Sequence, residues 1–355
     1  MPTLFDPIRL GSLDLPTRVF MAPLTRARAT EDRVPNALMR DYYVQRASAG
    51  LILTEATNIN PKSVGYEHTP GIWSEAQVEG WRMITDAVHK AGGHIFMQLW
   101  HCGRISDPSL LGGDLPVAPS AIAAQGHVSL LRPERPYPTP RALTLEEIPG
   151  IVADYRRGAE NAMRAGFDGV EIHGANGYLL DQFLQDSSNK RTDAYGGPVE
   201  NRARLMFEAV DAAISVWGAD RVGLHLAPRG DSHSMGDSDL TGTFSHVARE
   251  AKARGLAFLF AREHAAPDSI GQTLKSVFGG TYIANERFTI EQSEEALSAG
   301  WADAIAFGVK FIANPDLPAR LRAGAPLNEL NRATMYGGGA HGYTDYPALA
   351  EAQAA

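Results

Sequence analysis

The 355-residue sequence holds a single cysteine, Cys102, which excludes an internal disulfide framework and a cysteine-based zinc site. No apolar run approaches bilayer-spanning length, and residues 1–10 lack the basic-then-apolar pattern of a secretion signal. A net charge of −8 is spread over interspersed acidic and basic residues, which argues against nucleic acid as the main partner. We therefore expect a cytoplasmic protein, monomeric or homodimeric, that acts on a small molecule and has no membrane partner.

Apolar residues make up 44% of the chain, enough for a large core, and from Val19 onward strand and helix patterns alternate eight times. The predicted strands are Val19–Ala22, Leu51–Thr54, His94–Leu99, Val170–Ile172, Val222–Leu226, Ala257–Phe260, Thr281–Ala284 and Ala304–Phe307. Eight such units fit a (β/α)₈ TIM barrel, an α/β fold with a single domain over residues 1–355. A doubly wound sheet would need a Gly-rich turn after its first strand, where this chain has Pro23-Leu24-Thr25.

Two additions to the barrel are predicted. Short apolar pieces at Ile8–Leu10 and Leu13–Leu15, around Gly11-Ser12, predict an N-terminal hairpin that closes one end of the barrel. A Pro- and Gly-rich insertion, residues 105–141, follows the third strand. Loops at the carboxyl ends of barrel strands line the site, so we expect this insertion to cap the barrel mouth rather than to be a plain surface excursion.

Three polar side chains follow the fourth predicted strand: His173, Asn176 and Tyr178. If the segment turns helically, His173 and Asn176 point to one side and can bracket a single oxygen. Two donors on a carbonyl oxygen stabilise the enolate that forms when hydride adds to a conjugated alkene. The phenol of Tyr178 is suited to protonate the neighbouring carbon. No second ligand stands at metal-binding spacing, so we expect no metal site.

Other strand ends contribute groups that suit a planar ring rich in heteroatoms. Thr25, Gln98 and Trp100 offer hydrogen bonds at the edge of such a ring and an apolar wall beneath it. Glu55 and Glu171 also lie at strand ends, and we expect each to form a buried pair with an arginine such as Arg26 or Arg202, the usual arrangement for a charge inside a barrel.

The stretch from Gly166 to Val210, with its His173-Gly-Ala-Asn-Gly-Tyr178 spacing, resembles the signature of the old yellow enzyme family. These are FMN-dependent ene-reductases of the NADH:flavin oxidoreductase/NADH oxidase type. Within the family, the sequence closely resembles the bacterial N-ethylmaleimide reductase and pentaerythritol tetranitrate reductase type. The Gly-rich tail, residues 336–343, resembles that of the bacterial members. The resemblance implies FMN as cofactor, NADPH or NADH as reductant, hydride from flavin N5 to the β-carbon, and a proton from Tyr178 to the α-carbon.

The resemblance also assigns residues to the ring and to the substrate. It puts Pro23, Leu24 and Thr25 along the edge of the ring, Ala56 beside it and Gln98 at its pyrimidine end. It puts Trp100, Leu99 and Tyr343 in the substrate pocket.

Departures from the family gather in strands five to eight. The arginine that faces flavin N1 is replaced by His225, and the arginine on the FMN phosphate by Val309, next to Gly308. Glu286, between Asn285 and Arg287, stands where a glycine approaches the phosphate. A carboxylate there is unfavourable unless Arg287 or Lys310 compensates it. In strand six, Phe260-Ala261-Arg262 stands where histidine-bearing sequence is common.

These departures leave two hypotheses for the function. The first is an FMN-dependent oxidoreductase that reduces the activated C=C bond of α,β-unsaturated carbonyl compounds with NAD(P)H, through a weakened phosphate site. The alternative is a flavin-free, redox-neutral isomerase, cyclase or lyase that acts on an unsaturated carbonyl compound in the same barrel. A bound yellow cofactor distinguishes them.

Overall fold

The computed structural model describes residues 1–230 and 232–349; residues 231 and 350–355 of the expected domain lie outside the described part. The strands are β1 (Ile8–Leu10), β2 (Leu13–Leu15), β3 (Val19–Met21), β4 (Ile52–Leu53), β5 (Thr57–Asn58), β6 (Ile95–Trp100), β7 (Val117–Ala118), β8 (Arg141–Ala142), β9 (Gly169–His173), β10 (Val222–Leu226), β11 (Phe258–Arg262), β12 (Tyr282–Asn285) and β13 (Ala304–Phe307). The helices are α1 (Ala37–Val44), α2 (Glu75–Lys90), α3 (Ile148–Arg164), α4 (Leu179–Leu184), α5 (Val199–Arg202), α6 (Arg204–Trp217), α7 (Leu240–Arg254), α8 (Gly271–Phe278), α9 (Ile290–Ser298), α10 (Val309–Ala313) and α11 (Leu317–Ala323).

Eight parallel strands close into a barrel, in the order β4-β3-β13-β12-β11-β10-β9-β6, and β6 pairs with β4 to complete the circle. The predicted TIM barrel is therefore confirmed. The main difference among the strands is that β11 runs on to Arg262 instead of ending at Phe260. Ala261 and Arg262 pair with Ala284 and Asn285 of β12, so the ladder continues although the apolar run has ended. This extension brings Arg262 to the barrel mouth.

The hairpin closes the end of the barrel opposite the mouth. β1 and β2 pair antiparallel in the predicted positions. Ile8, Leu10 and Leu15 are buried in one cluster with the inward-facing phenylalanines Phe96 and Phe258. Removing these apolar side chains from water stabilises the closed end and leaves the carboxyl ends of the strands as the open end.

The insertion after β6 caps one wall of the mouth, as predicted. Its residues Ile105, Val128 and Tyr137 are buried in a cluster with Trp100 at the end of β6 and Tyr66 in the loop after β5. Within the insertion, β7 pairs in parallel with β8, which begins at its last residue, Arg141. Within the described part of the chain, no helix is long and apolar enough to cross a membrane.

Candidate active site

A row of nearly parallel rings, which we call the ring wall, lines one side of the mouth. It consists of Tyr66, Trp100, His173 and His225, with centroids 5.5, 6.2 and 5.2 Å apart and interplanar angles of 13°, 17° and 11° in that order. His173 and His225 are register partners in the β9–β10 ladder, so their side chains leave the sheet on the same side. Tyr178 stands edge-on to Trp100 at 4.8 Å and to His173 at 5.1 Å.

Two tyrosine hydroxyls meet beside the ring wall. The Tyr178 and Tyr66 oxygens are 3.0 Å apart, at hydrogen-bonding distance. Burial raises the pKa of both phenols, so Tyr178 keeps its proton at neutral pH and can act as an acid. Sequence reasoning missed Tyr66, because it lies in a loop with no strand-end signal.

The two histidines of the ring wall are neutral. Gln98 donates from Nε2 to His225 Nδ1 at 2.9 Å, which puts the imidazole proton of His225 on Nε2. Burial lowers the pKa of His225 to about 3, with a smaller contribution from the charge of Arg262. Burial also lowers the pKa of His173 well below its ordinary value, helped by His225 and Arg262. His225 can therefore donate a hydrogen bond at neutral pH but supplies no positive charge there.

The expected pairing of Glu171 with an arginine is wrong, because this carboxyl is buried beside His225 and is neutral. Its Oε2 accepts from Gln98 Nε2 at 2.6 Å, and its nearest basic group, His225 Nδ1, is 3.5 Å away. Burial raises the pKa of Glu171 to about 8, because a buried carboxyl without a cation favours its protonated form. Arg202 instead pairs with Asp237.

Glu55 likewise departs from a simple ion pair. Its Oε2 accepts from the backbone N–H groups of Arg26 and Ala27, both at 3.0 Å. The Arg26 guanidinium donates to the backbone oxygens of Met335 and Gly342. Glu55 therefore fixes the backbone of the loop that follows β3, which carries Pro23, Leu24 and Thr25.

A second group of side chains, which we call the charged rim, lies next to the ring wall, at the end of β11 and just after β12: Arg262, Glu286 and Arg287. Arg262 Nε contacts Glu286 Oε2 at 2.5 Å, and Arg287 Nε lies 3.2 Å from Glu286 Oε1. Two arginines thus compensate the Glu286 carboxylate, whereas Lys310 donates to the backbone oxygen of Phe288 at 2.9 Å. Glu286 has φ of +96° and Arg287 of +59°, backbone that glycine adopts most easily.

Asn176 does not lie on the helical turn that its spacing from His173 suggested. It has φ of +58° and Gly177 has φ of +76°, so β9 leads into a left-handed turn before α4. Asparagine tolerates this conformation better than most residues. The Asn176 Oδ1 accepts from Arg262 Nη1 at 2.9 Å, which leaves the amide N–H₂ as the free end of the side chain.

Two residues expected in the substrate pocket lie elsewhere. Leu99 alternates with Gln98 and so points away from the barrel interior towards Gly158 of α3. Tyr343 is fully buried and stacks on Tyr42, with centroids 4.1 Å apart. From the same tail, Tyr336 instead adds to the rise in the pKa of Tyr178, of which burial is the largest cause.

The other residues expected along the cofactor follow the carboxyl ends of β3, β4, β12 and β13: Pro23, Leu24, Thr25, Ala56, Asn285, Gly308 and Val309. Leu24 lies so close to Gly308 that a Cβ there would be 3.4 Å from its Cδ2. Asn285 donates a hydrogen bond from Nδ2 to the backbone oxygen of Ala306, at 2.7 Å. Val309 begins α10 and is 43% exposed, so a longer side chain fits there.

The mouth suits a flavin ring because several of its buried polar atoms, in the part of the chain that the structure describes, have no hydrogen-bond partner, and the ring has donors and acceptors along its edge. Among the described residues, His173 Nδ1, His225 Nε2, Glu171 Oε1 and Trp100 Nε1 are buried without a hydrogen-bond partner. Buried polar atoms are nearly always paired, so this cluster calls for a ligand with donors and acceptors on its edge. At the phosphate end, the two arginines on Glu286 remove the Coulombic objection to an anion.

Fold and mouth together define a barrel protein with a buried site rich in hydrogen-bonding groups, and comparison with known proteins shows which family of enzymes it belongs to. Residues 3–328 match the model of the NADH:flavin oxidoreductase/NADH oxidase family. A Leishmania infantum protein named "Probable flavin mononucleotide-dependent alkene reductase" is 44% identical over 97% of each chain. 12-oxophytodienoate reductase 1 of Oryza sativa subsp. japonica is 41% identical over 98% of this chain and 93% of its own.

Solved structures agree. Morphinone reductase in complex with tetrahydroNAD superposes with a TM-score of 0.95, at 48% identity over 98% of both chains. The old yellow enzyme homologue from Zymomonas mobilis gives a TM-score of 0.96, at 46% identity over 98% of this chain and all of its own. The chain belongs to the NADH:flavin oxidoreductase/NADH oxidase family. It is an FMN-dependent oxidoreductase of the ene-reductase type that uses a nicotinamide reductant, and the flavin-free alternative is not supported.

Proposed function

We propose that the chain reduces the activated C=C bond of α,β-unsaturated carbonyl compounds at the ring wall, with NADPH or NADH as the source of reducing equivalents. The observation that carries this proposal is the buried contact of Tyr178 with His173, 5.1 Å between ring centroids, in the segment that also carries Asn176. An acid and two hydrogen-bond donors around one small volume are what addition of hydride and a proton to an enone requires.

The roles of the three residues follow from their protonation. His173 is neutral and, with the Asn176 amide, donates to the carbonyl oxygen of the substrate, which withdraws electron density from the conjugated alkene. Tyr178 keeps its proton until the enolate forms and then gives it to the α-carbon. The Tyr66 hydroxyl, 3.0 Å away, can donate a hydrogen bond to the tyrosinate that results. The hydride for the β-carbon would come from FMN bound beside the ring wall.

The residues proposed to hold the cofactor divide between its two ends. Gln98, His225, Thr25, Ala56, Pro23 and Leu24 are proposed at the ring, and Asn285, Glu286, Arg287, Gly308 and Val309 near the phosphate. His225 offers a neutral N–H to the ring edge, since Gln98 already donates to its Nδ1. Trp100 is proposed to line the substrate pocket from the ring wall, with Tyr336 in place of Tyr343.

The activity is tested with the purified holoenzyme, NADPH or NADH, and 2-cyclohexenone as the enone. We expect nicotinamide oxidation that depends on the enone and yields cyclohexanone, detected by gas chromatography. A control with cyclohexanone as the added substrate should give only the background oxidation rate. Nicotinamide oxidation without formation of the saturated ketone would contradict the proposed substrate class.

The carbonyl clamp is tested by binding of a phenol, whose oxygen takes the place of the substrate oxygen. His173→Ala removes a donor to this oxygen, and a hydrogen bond to a charged group contributes about 1.5–3 kcal/mol, so we expect affinity to fall by about 10- to 100-fold. The measurement is a spectral titration of the oxidised holoenzyme with 4-nitrophenol. Unchanged affinity would refute the role of His173.

The cellular location of the protein and its oligomeric state are part of the proposal. We propose a cytoplasmic monomer or homodimer, since the nicotinamide reductant is a soluble metabolite. Size-exclusion chromatography with light scattering measures the assembly; a mass above that of two chains would contradict it.

A further inference from the structure

Arg262 is the side chain that joins the charged rim to the carbonyl clamp. It follows Phe258 and Phe260 at two-residue spacing on β11, so it rises from the inward face of the barrel. Its guanidinium spans two partners, Glu286 Oε2 at 2.5 Å and Asn176 Oδ1 at 2.9 Å. One arginine thus links the end of strand six to the turn after strand four, across the intervening strand that carries His225.

Few other positive charges of the described residues lie near the clamp; Arg104, whose charge reaches His233, donates to the backbone oxygens of Ile122 and His233. His173 and His225 are neutral because they are buried, and both feel the charge of Arg262. Arg287 contacts the same Glu286 carboxylate, but its side chain is 82% exposed, where water screens its charge. Arg229 is committed to Glu263 and Asp268. The Arg262 charge is therefore the one that the clamp feels most directly.

The contact with Asn176 also has a geometric consequence. An asparagine amide can present either its oxygen or its NH₂ group to a ligand, and the two orientations are sterically almost equal. Because Arg262 donates to Oδ1, the oxygen is held on the side of the guanidinium and the NH₂ group is left for the ligand. The charge on Arg262 also polarises the amide and strengthens its donation.

We propose that Arg262 is a positioning residue of the substrate-oxygen site, which orients Asn176 as a donor and supplies the positive charge that His225 does not. This inference rests on the clamp role proposed for His173 and Asn176. Glu286 then holds Arg262 in place: its ion pair keeps the guanidinium at the mouth, and Glu286 itself has a positive φ of +96° where the family has glycine. Three departures from the family, His225, Arg262 and Glu286, become one compensated set.

The test compares an anionic with a neutral ligand on the oxidised holoenzyme, without reductant. The probes are 4-nitrophenol, at a pH above its own pKa, and 2-cyclohexenone. We expect Arg262→Met to weaken 4-nitrophenolate binding about tenfold, or about 1.4 kcal/mol, and the neutral enone less, because the lost charge acts mainly on an anion. Arg262→Lys should recover part of the phenolate affinity, since it restores the charge without the fork.

Arg229→Met is the matched control, because it removes an arginine from the same end of the barrel that pairs with Glu263 and Asp268 and does not contact Asn176. We expect its phenolate affinity to stay at the wild-type value. An equal loss in Arg229→Met and Arg262→Met would overturn the inference, because the effect would then be one of general charge. Equal losses for the two ligands in Arg262→Met would overturn the charge-supplying role.

His173→Ala separates this inference from the proposed function. If it weakens phenolate binding while Arg262→Met does not, the clamp stands and the role of Arg262 falls. If neither variant changes binding, the clamp itself is wrong. Thermal melting of each holoenzyme variant confirms that the comparison is made on folded protein.

Discussion

The ring wall and the charged rim lie side by side at one barrel mouth but differ in burial and in charge. The wall is buried and neutral: burial keeps His173 and His225 without charge and Glu171 protonated near neutral pH. The rim is charged and partly open to water, with the Arg262 and Arg287 side chains 40% and 82% exposed. The wall therefore donates fixed hydrogen bonds, whereas positive charge reaches the site from the rim.

This difference shows how a site can keep a hydrogen-bond donor and a positive charge although arginines of the family are replaced. A neutral histidine at His225 preserves a donor for the ring edge and avoids burying a cation beside the Gln98–Glu171 pair. The charge is carried instead by an arginine that reaches the mouth from the next strand and is neutralised by its own carboxylate. At the proposed phosphate end, Val309 stands in place of an arginine and is 43% exposed.

The largest effect is expected from the acid beside the wall. Tyr178→Phe removes the proton donor while keeping the edge-on ring contacts, so enone turnover should fall by about 10²- to 10⁴-fold and binding of 4-nitrophenol should change little. Steady-state rates and spectral titrations measure the two quantities. Tyr66→Phe, which keeps the Tyr178 hydroxyl, is the control and should lose far less activity. Equal losses in both variants would mean that the acid role is not specific to Tyr178.

A smaller effect is expected at the proposed phosphate end, where Val309 stands in place of the family's arginine. Val309→Arg restores a bidentate partner at an exposed position, and we expect FMN to bind about tenfold more tightly, as a charge-assisted pair with phosphate allows. Fluorescence of released FMN measures the dissociation constant. Val309→Met adds length without charge and should leave it unchanged. If Val309→Arg also leaves it unchanged, the phosphate does not lie at the start of α10.

The smallest effect is expected on stability, from the protonated Glu171 behind the wall. Its pKa is raised to about 8 from 4.5, so between these values the folded state binds a proton that the unfolded state has lost. Stability due to this group therefore falls as pH rises through that window. Glu171→Gln mimics the protonated form and should flatten the fall in melting temperature. Parallel pH profiles of the two proteins would contradict a raised pKa.

Much of the fold can be predicted from local patterns in the sequence. Each barrel strand is a short apolar run between turn signals, and the predicted bounds of β10 and β13 match the structure. The His173–Tyr178 spacing likewise marks the mouth, because both residues follow one strand closely. Leu99 could have been excluded from the pocket by the two-residue alternation with Gln98, a signal present in the sequence.

Other features depend on contacts between distant parts of the chain. Arg262 and Asn176 are 86 residues apart, and Tyr66 and Tyr178 are 112 apart. No local pattern indicates that these side chains meet, since the closure of the barrel brings them together. The neutrality of His225 has the same origin, because its pKa is set by burial among residues from several strands.

The central claim is that this mouth holds a flavin although two family arginines are replaced. The most direct measurement is the visible absorption spectrum of the purified protein, before and after addition of excess FMN and gel filtration. We predict a flavin band, shifted from that of free FMN, that stays with the protein and sharpens on reconstitution. A protein that is colourless and does not retain added FMN would contradict the account.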